Sequence, residues 1–333
     1  MNREDVKGTQ QNPKISIIVP VYNGATYIEA CYESLKNQTY QNLELVFVDD
    51  CSKDNSRSLL LNFARVDNRV IVVQTPSNSG VSAARNYGLD KAKGELIGFC
   101  DVDDTCEKNM FQNMVSELIK KNADIACCGL KRVNEEGKTI EALWQAPTGL
   151  TMCSEEAMKY WLMGKYIGNS VCTKLIKKEL WEGVRFPEGQ IFEEAYIIPN
   201  IMSKAKKIVH TGTVEYNYFT HETSCTAQPV DETKMVVYER ERFIREFIAE
   251  KYPKLKDAVN CFEIRTNMGM MMGAELSKRR IDKNCYNTIK KEFEKVYKQG
   301  IFNRCISVKD KIKLIELRTG MFYLRKLITG KIH

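Results

Sequence analysis

Three carboxylates within four positions follow an apolar run in the stretch GELIGFCDVDDTCEK, residues 94–108. Asp101, Asp103 and Asp104 would repel one another if no cation lay between them. Hard divalent cations such as Mg²⁺ or Mn²⁺ take oxygen ligands and commonly bind one or two carboxylates together with substrate phosphates. The alternative is a helix cap near residue 107, but a cap needs only one aspartate. The spacing therefore favours a metal site among these three aspartates.

A second acidic segment, VFVDDCSKDNS, offers oxygens to a different part of a ligand. Asp50 lies just beyond a strand-like run, where its carboxylate could accept hydrogen bonds from a nucleobase or a ribose. Asp54 or Ser52 is placed to cap the helix that follows. We expect one of these two to be the cap and Asp50 to be the ligand-binding residue.

Two further segments carry groups suited to a nucleotide. VPVYNG supplies a turn at Pro20 and Asn23 and an aromatic ring, Tyr22, that could stack on a base. NSGVSAARNYG predicts a helix that begins at Ser79 and Gly80, and a helix N-terminus attracts phosphate. Arg85, inside that helix, could donate to an anion. Its alternative role is a surface salt bridge.

The elements that must position these groups alternate between strand and helix patterns over residues 14–133. The strand patterns are nearly continuous apolar runs, which is typical of strands covered on both faces. They cover residues 14–20, 43–50, 69–75, 95–101 and 123–130, with helix patterns at 25–38, 54–66, 80–92 and 107–121. This alternation predicts a doubly wound, mostly parallel α/β sheet, whose ligands bind beyond the carboxyl ends of the strands.

The rest of the chain divides into a mixed part and a helical part. Residues 134–230 combine a hairpin, two helices and a strand near 207–219, whereas helix patterns fill 231–251, 255–278, 283–299 and 307–328. We predict a flexible tail at 1–13, a catalytic domain at 14–230 with halves meeting at residue 133, and a helical region at 231–333.

Composition excludes several classes of protein. A hydrophobic fraction of 43% without an apolar run of 18 residues indicates a globular protein with no membrane span. The polar N-terminus has no signal-peptide core, so we expect a cytoplasmic protein whose twelve cysteines are reduced, and a structural zinc site is not expected. Most of the net charge of +7 comes from residues 301–333, which argues against a nucleic-acid-binding face.

Three segments together resemble the family-2 glycosyltransferases of the GT-A fold. The resemblance covers about residues 14–226 and rests on ISIIVPVYNGATYIEACYESLKNQTYQNLELVFVDDCSKDNS, NSGVSAARNYGLDKAKGELIGFCDVDD and KLIKKELWEGVRFPEGQIFEEAYI. It implies a nucleotide-sugar donor, usually a UDP-sugar, and transfer with inversion. The residues that it implies for the nucleoside are Pro20, Tyr22, Asp50 and Arg85, while Asp103 with Asp101 or Asp104 serves the metal and the ribose.

The resemblance also implies the catalytic base, commonly an aspartate in a Glu-Asp pair. This sequence has Glu193-Glu194 there, so Glu194 falls at the base position and Glu193 is the alternative. In YNYFTHETSCT, Phe219 stands where the family often has arginine. His221 is then a candidate for contact with the diphosphate, with an ordinary loop histidine as the alternative.

The end of the chain reads as a basic amphipathic helix. Apolar residues recur at helical spacing from Leu314 through Leu317, Met321, Leu324 and Ile328, among lysines and arginines. This pattern predicts either peripheral contact of residues 307–329 with an anionic membrane or packing on protein. Gly320 weakens both interpretations.

These observations predict a metal-dependent glycosyltransferase that acts on a glycan or lipid-linked acceptor in surface polysaccharide synthesis. The alternatives are an inactive binding subunit of a polysaccharide assembly complex and, more weakly, a nucleotidyltransferase. A dinucleotide-binding oxidoreductase is excluded because no GxGxxG follows the first strand. The sequence leaves the donor sugar, the acceptor and the oligomeric state open.

Overall fold

Ten strands form one mixed sheet in the computed structural model, which describes residues 12–221, 229–277 and 281–328. The strands are β1 (Ile15–Val21), β2 (Leu43–Asp49), β3 (Val70–Gln74), β4 (Leu96–Phe99), β5 (Thr105–Cys106), β6 (Ile125–Val133), β7 (Thr139–Leu143), β8 (Leu150–Met152), β9 (Lys174–Lys177) and β10 (Ile208–Phe219). Their order is β3-β2-β1-β4-β9-β6-β10-β5, with β7 beside β6 and β8 beside β10.

The predicted parallel arrangement is confirmed in the first half of the chain. β1 pairs in parallel with β2 and β4, and β2 pairs in parallel with β3. Every residue of β1 and β2 is buried, which explains why both strands are continuous apolar runs. β9 was not predicted as a strand; it runs antiparallel between β4 and β6 and joins the two halves of the sheet.

Eleven α-helices surround and extend this sheet within the described residues. They are α1 (Ile28–Lys36), α2 (Ser56–Val66), α3 (Gly80–Lys91), α4 (Met110–Lys121), α5 (Ser154–Leu162), α6 (Glu194–Lys204), α7 (Val237–Lys251), α8 (Lys256–Leu276), α9 (Lys283–Phe302), α10 (Val308–Thr319) and α11 (Met321–Ile328). Apart from the helix predicted at 307–328, the predicted helices are present, with ends that differ from the prediction by up to six residues. At Gly88 of α3 an added Cβ would lie 2.4 Å from Ile18, so only glycine lets α3 pack this close to the sheet.

The described residues form two hydrophobic cores, and residues of the predicted helical region contribute to both. The main core under the sheet includes Ile244 and Ile248 of α7 and Phe262 of α8. A second core holds the rest of α8 together with α9, α10 and α11, for example Phe293 and Leu314. α7 and the start of α8 therefore pack with the sheet, and the boundary at residue 230 remains a prediction from sequence.

The predicted single helix at 307–328 is wrong, because Gly320 adopts a left-handed conformation with φ of 75° and ends α10. Leu314 and Leu317 are buried in the second core, whereas Met321 and Leu324 are more than half exposed. The predicted apolar stripe is therefore split between the protein's own core and its surface. None of the helices described is long and apolar enough to cross a bilayer.

Candidate active site

Loops from the carboxyl ends of β1, β2, β3 and β4 meet at one edge of the sheet. Asn23, after β1, receives the N–H of Lys53 at 2.8 Å through its side-chain oxygen and donates its own N–H to Ser52 at 3.1 Å. Asp50, after β2, binds the start of α3, and Arg85 of α3 binds Asp101, after β4. The structure thus brings together the predicted rim residues of four separate segments.

Asp50 is almost fully buried and closes the N-terminus of α3. Its carboxylate accepts the N–H groups of Ser79 and Gly80, the latter at 2.7 Å, and the hydroxyl of Thr75 at 2.7 Å. These two amides are consequently occupied, so the phosphate site predicted at this helix start lacks them. The expected cap of α2 is present in Asp54, which accepts the N–H of Ser56 at 3.0 Å.

The residues predicted to contact a nucleoside differ in accessibility. Pro20 is buried inside β1, where it lies opposite Val48 of β2. Its ring therefore belongs to the packed interior of the sheet. The Tyr22 side chain is 44% exposed at the edge of the sheet. Its ring can stack on a planar base, and its role remains a prediction.

Arg85 connects three carboxylates although it is only 3% exposed. Its guanidinium donates to Oδ1 of Asp101 at 2.8 Å and to Oε1 of Glu193 at 2.5 Å, and lies 4.0 Å from Oε1 of Glu194. The alternative of a surface salt bridge is wrong, because the guanidinium in these ion pairs is buried, and the nucleoside contact remains a prediction. Arg85 joins the aspartate segment after β4 (residues 101–104) to the paired glutamates at the start of α6.

Glu194 and Glu193 differ in their partners. Oε1 of Glu194 accepts the N–H of Val171 at 2.9 Å, and burial raises the pKa of Glu194 to about 7. Glu193 forms the short ion pair with Arg85. A carboxyl whose pKa lies near neutrality is suited to accept a proton, so Glu194 remains the predicted base and Glu193 the alternative. α6 is anchored below Glu194 by Ile197, Ile198, Ile201 and Met202, all buried.

The aspartate segment after β4 is held from below by β10. The Tyr216 hydroxyl accepts the N–H of Asp101 at 3.1 Å and donates to Oδ2 of Asp104 at 2.7 Å, while the N–H of Phe219 donates to Oδ1 of Asp104 at 2.9 Å. Asp104 is 1% exposed, so both its oxygens point into the protein. Both oxygens of Asp104 are thus engaged within the protein, although Asp104 lines the same cavity as Asp103. Its role as a metal ligand remains a prediction.

Asp103 is a partly buried carboxylate beside a cavity. It lines a cavity of about 390 Å³, and burial raises the pKa of Asp103 to about 6. Within the described chain Asp103 forms no ion pair, and no cluster of three or more His, Cys, Asp or Glu residues could hold a metal without further ligands. Mg²⁺ and Mn²⁺ fit such a site, since they accept a few carboxylates together with phosphate oxygens.

Comparison with known families agrees with this arrangement. The model of glycosyl transferase family 2 matches residues 16–184, just over half of the chain, which includes Asp50, Arg85 and Asp103. The chain belongs to glycosyl transferase family 2. It is an enzyme that transfers glycosyl groups, as the sequence predicts.

Relatives and solved structures extend the comparison beyond the family model. Glycosyltransferase GlyG of Streptococcus pneumoniae serotype 4 is 34% identical over 61% of this chain and 70% of its own length. The GalNAc(5)-diNAcBac-PP-undecaprenol beta-1,3-glucosyltransferase of Campylobacter jejuni is 28% identical over 63% of this chain and 67% of its own. The structure of S. aureus TarS 1-349 in complex with UDP-GlcNAc aligns with a TM-score of 0.69 at 20% identity, covering 95% of this chain and 92% of that chain. This likeness shows a shared GT-A-like fold.

His221 lies at the same cavity as Asp103 in this family-2 enzyme. Its ring packs 4.9 Å from the ring of Tyr27, and its Nδ1 is 3.5 Å from a carboxylate oxygen of Glu135. Phe219 lines the same cavity, at the position where the resemblance leads one to expect arginine. His221 is thus near the aspartates, while residues 222–226 of the compared segment lie outside the described residues.

Sequence reasoning missed two basic residues near the glutamates. Lys174 of β9 is 1% exposed, and its ammonium donates to the carbonyls of Gly168 and Ser170. Arg240 of α7 lies 5.3 Å from the ring centre of Phe192, next to Glu193. The position of Lys174 inside the apolar run CTKLI could have indicated a buried lysine. No local sequence pattern indicated Arg240.

Proposed function

We propose that the enzyme transfers a sugar from a nucleotide sugar, most readily a UDP-sugar, to an acceptor hydroxyl with inversion at the anomeric carbon. The observation that carries this proposal is the ion-pair cluster of Arg85. It ties a candidate donor-binding aspartate, Asp101, to the paired glutamates at a single edge of the sheet. The aspartate that binds the donor and the glutamates that activate the acceptor would therefore lie around the same guanidinium.

In this mechanism Glu194 takes the proton from the acceptor hydroxyl as that oxygen attacks the anomeric carbon. The N–H of Val171 fixes one carboxylate oxygen of Glu194. Arg85 holds Glu193 beside it through a hydrogen-bonded ion pair. The nucleoside diphosphate leaves from the face opposite to attack, so a single displacement inverts the centre.

Asp103, with Asp101, would hold a Mg²⁺ or Mn²⁺ ion in this proposal. When bound, such an ion neutralises the negative charge that grows on the leaving diphosphate. Tyr22 would stack on the base and His221 would contact the diphosphate from the cavity beside Asp103. The UDP-GlcNAc bound to TarS and the glucosyl transfer named for the C. jejuni relative support a nucleotide-sugar donor and a glycan or lipid-linked acceptor in polysaccharide synthesis.

The test compares two substitutions in an assay of UDP-sugar turnover with Mn²⁺ or Mg²⁺. Asp103→Asn should abolish metal-dependent turnover. Glu194→Gln should retain nucleotide binding and lower kcat by about a hundredfold to ten-thousandfold, the usual contribution of a general base. The exposed Glu182→Gln serves as a matched control and should keep full activity.

Three results would contradict parts of the proposal. Full activity of Glu194→Gln would transfer the role of base to Glu193. Metal-dependent turnover in Asp103→Asn would remove that residue from the metal site. An enzyme that turns over other nucleotide sugars but no UDP-sugar would overturn the choice of donor.

We further propose that residues 307–329 contact an anionic membrane surface from the cytoplasmic side. Val308, Ile312 and Ile315 recur at helical spacing on α10 and are 75%, 54% and 45% exposed. The surrounding lysines suit acidic headgroups. The protein should sediment with phosphatidylglycerol vesicles and not with phosphatidylcholine vesicles, and Ile312→Ser with Ile315→Ser should weaken this binding. Equal sedimentation of the variant and the unaltered protein would exclude α10 as the contact.

A further inference from the structure

A second cavity lies between α5, the loop after it, and helices α7 and α8. We call it the helix-side cavity; its volume is about 190 Å³. Its lining residues are Trp144, Trp161, Gly164, Ile167, Gly168, Asn169, Arg240, Phe262, Arg265 and Thr266. None of them belongs to the aspartate segment or the paired glutamates.

Two short connections place the helix-side cavity beside the proposed base. Asn169 in its lining is two residues from Val171, whose N–H binds Glu194. On the opposite side, Arg240 stacks over Phe192, two residues before Glu194. The lining of this cavity is thus linked to the surroundings of Glu194 from two sides.

Arg240 is a buried cation with few partners. It is 8% exposed, its Nε has no hydrogen-bond partner, and a second guanidinium nitrogen makes only a long bond of 3.4 Å to Thr266. The rings of Phe192 and Phe262 lie 5.3 and 5.4 Å from the guanidinium carbon. Its neighbour Glu241 makes no hydrogen bond to it, and burial raises the pKa of Glu241 to about 8. A buried donor left unsatisfied is costly, so Arg240 has capacity for an acceptor atom.

Two more cations flank the same cavity. The guanidinium of Arg265 lies against Gly164, where an added Cβ would meet it, and Arg265 itself is exposed. Below the lining, the ammonium of Lys174 binds the carbonyl of Gly168. In the described part of the chain, no carboxylate lies within ion-pair distance of Arg240, Arg265 or Lys174. These cations therefore have no carboxylate in direct contact, and Glu241, Glu194 and Asp310 act on them only from longer range.

The remaining walls suit a carbohydrate. The ring of Trp144 lies against Gly168, where an added Cβ would come within 2.3 Å of it, and Trp161 stacks on Phe262 at 5.7 Å. Aromatic walls with a few polar groups are typical of small-ligand sites. Asn169, held by the indole N–H of Trp161 at 2.7 Å, supplies an exposed amide at the mouth.

We propose that the helix-side cavity binds a phosphate group of the acceptor, with Arg240 and Arg265 as its donors. This inference rests on the proposed function, since it names the class of acceptor for the same transfer. The acceptor is accordingly an anionic glycan. The phosphate can belong to a phosphodiester in a polymer or to the diphosphate that joins a glycan to a lipid, and both present the same oxygens to arginine.

The test is a calorimetric titration with sn-glycerol 3-phosphate in EDTA, which removes divalent cations from the donor site. The unaltered enzyme should bind, and Arg265→Gln should weaken binding by about tenfold to a hundredfold, the usual effect of losing a charged hydrogen bond. Arg265 is exposed, so this variant should fold; Arg240→Lys provides a second, buried substitution. Arg245→Gln is the matched control, because Arg245 lies on α7 and pairs with Glu263. No binding by the unaltered enzyme, or equal binding by all variants, overturns the proposal.

Two further measurements separate the sources and the underlying function. Competition by a soluble oligo(glycerol phosphate) would identify a phosphodiester polymer, whereas competition by a short prenyl diphosphate would identify a lipid-linked acceptor. Hydrolysis of UDP-sugar without acceptor should be the same in Arg265→Gln and the unaltered enzyme. If hydrolysis is absent in both while the phosphate still binds through Arg265, the proposed donor chemistry fails and the anion site stands.

Discussion

At the scale of single residues, Arg85 sets the electrostatics of the candidate site. It is the nearby cation that holds down the pKa of Glu194, against burial and the charges of Asp101 and Glu193, which raise it. A carboxylate base works only when deprotonated, so turnover should rise with pH through the pKa of Glu194, near 7.

Arg85→Gln should therefore move the acidic limb of the pH profile of kcat to higher pH, because the cation that favours the charged form of Glu194 is gone. Turnover below pH 7 should fall more steeply than turnover at pH 9. The measurement is kcat from pH 5.5 to 9 on samples whose folding is checked by circular dichroism. Arg185→Gln, which removes an exposed ion pair with Asp90, is the control. An acidic limb that stays in place would show that Glu194 is not the titrating base.

At the scale of elements, β10 supports the aspartate segment from the opposite half of the sheet. Tyr216 of β10 is buried, and its hydroxyl connects the backbone of Asp101 to the carboxylate of Asp104. Since β5 pairs with β10 at Tyr216 and Asn217, the segment between β4 and β5 is fixed at both ends. The position of Asp103 thus depends on a strand more than a hundred residues later.

Tyr216→Phe should destabilise the protein by about 1–3 kcal/mol, because Asp104 and the Asp101 N–H would each lose a partner in a buried setting. Turnover should fall as well, since the aspartate segment loses its fixed shape. Urea unfolding and steady-state assays test both effects. The control is Tyr87→Phe, whose hydroxyl makes no hydrogen bond among the described residues. A variant with unchanged stability would show that the hydroxyl is dispensable.

Local patterns account for what could be predicted from sequence. Strands such as β1 and β2 are buried on both faces and so appear as apolar runs, and the loops at their carboxyl ends could be assigned to one edge. The bonds of Asp50 to α3 and of Arg85 to Glu193 join residues far apart in the sequence, and no local pattern encodes them. Gly320 could be recognised in the sequence as a weak point of the last helix. Which apolar residues on either side of it become buried depends on packing against α8 and α9.

At the scale of the whole molecule, the helical region has its own pH sensitivity. Glu241 of α7 is 5% exposed and accepts hydrogen bonds from Asn267 of α8 at 3.1 and 3.3 Å. Burial, with a smaller contribution from Glu263, raises the pKa of Glu241 to about 8, above the usual 4.5. The folded state therefore binds this proton more tightly than the unfolded state. Its contribution to stability is full below pH 4.5 and is lost as pH rises through 8.

Glu241→Gln should accordingly gain stability relative to the unaltered protein as pH increases from 5 to 9, because glutamine cannot ionise. Each unit of pKa difference corresponds to about 1.4 kcal/mol at most. Urea unfolding at pH 5, 7 and 9 measures the difference, and the exposed Glu246→Gln on the same helix is the control. A difference that stays constant with pH would show that Glu241 does not ionise on unfolding in this range.

The stacking of Arg240 on Phe192 also bears on how the enzyme is made. A chain emerges from the ribosome amino end first, so Glu193 and Glu194 leave the exit tunnel before α7. At that stage Arg240 cannot yet pack on Phe192, the residue before Glu193. The first half of the sheet can therefore fold while the segment around Glu193 and Glu194 still lacks its contact with Arg240. We therefore expect a chain that ends before α7 to lack glycosyl transfer activity.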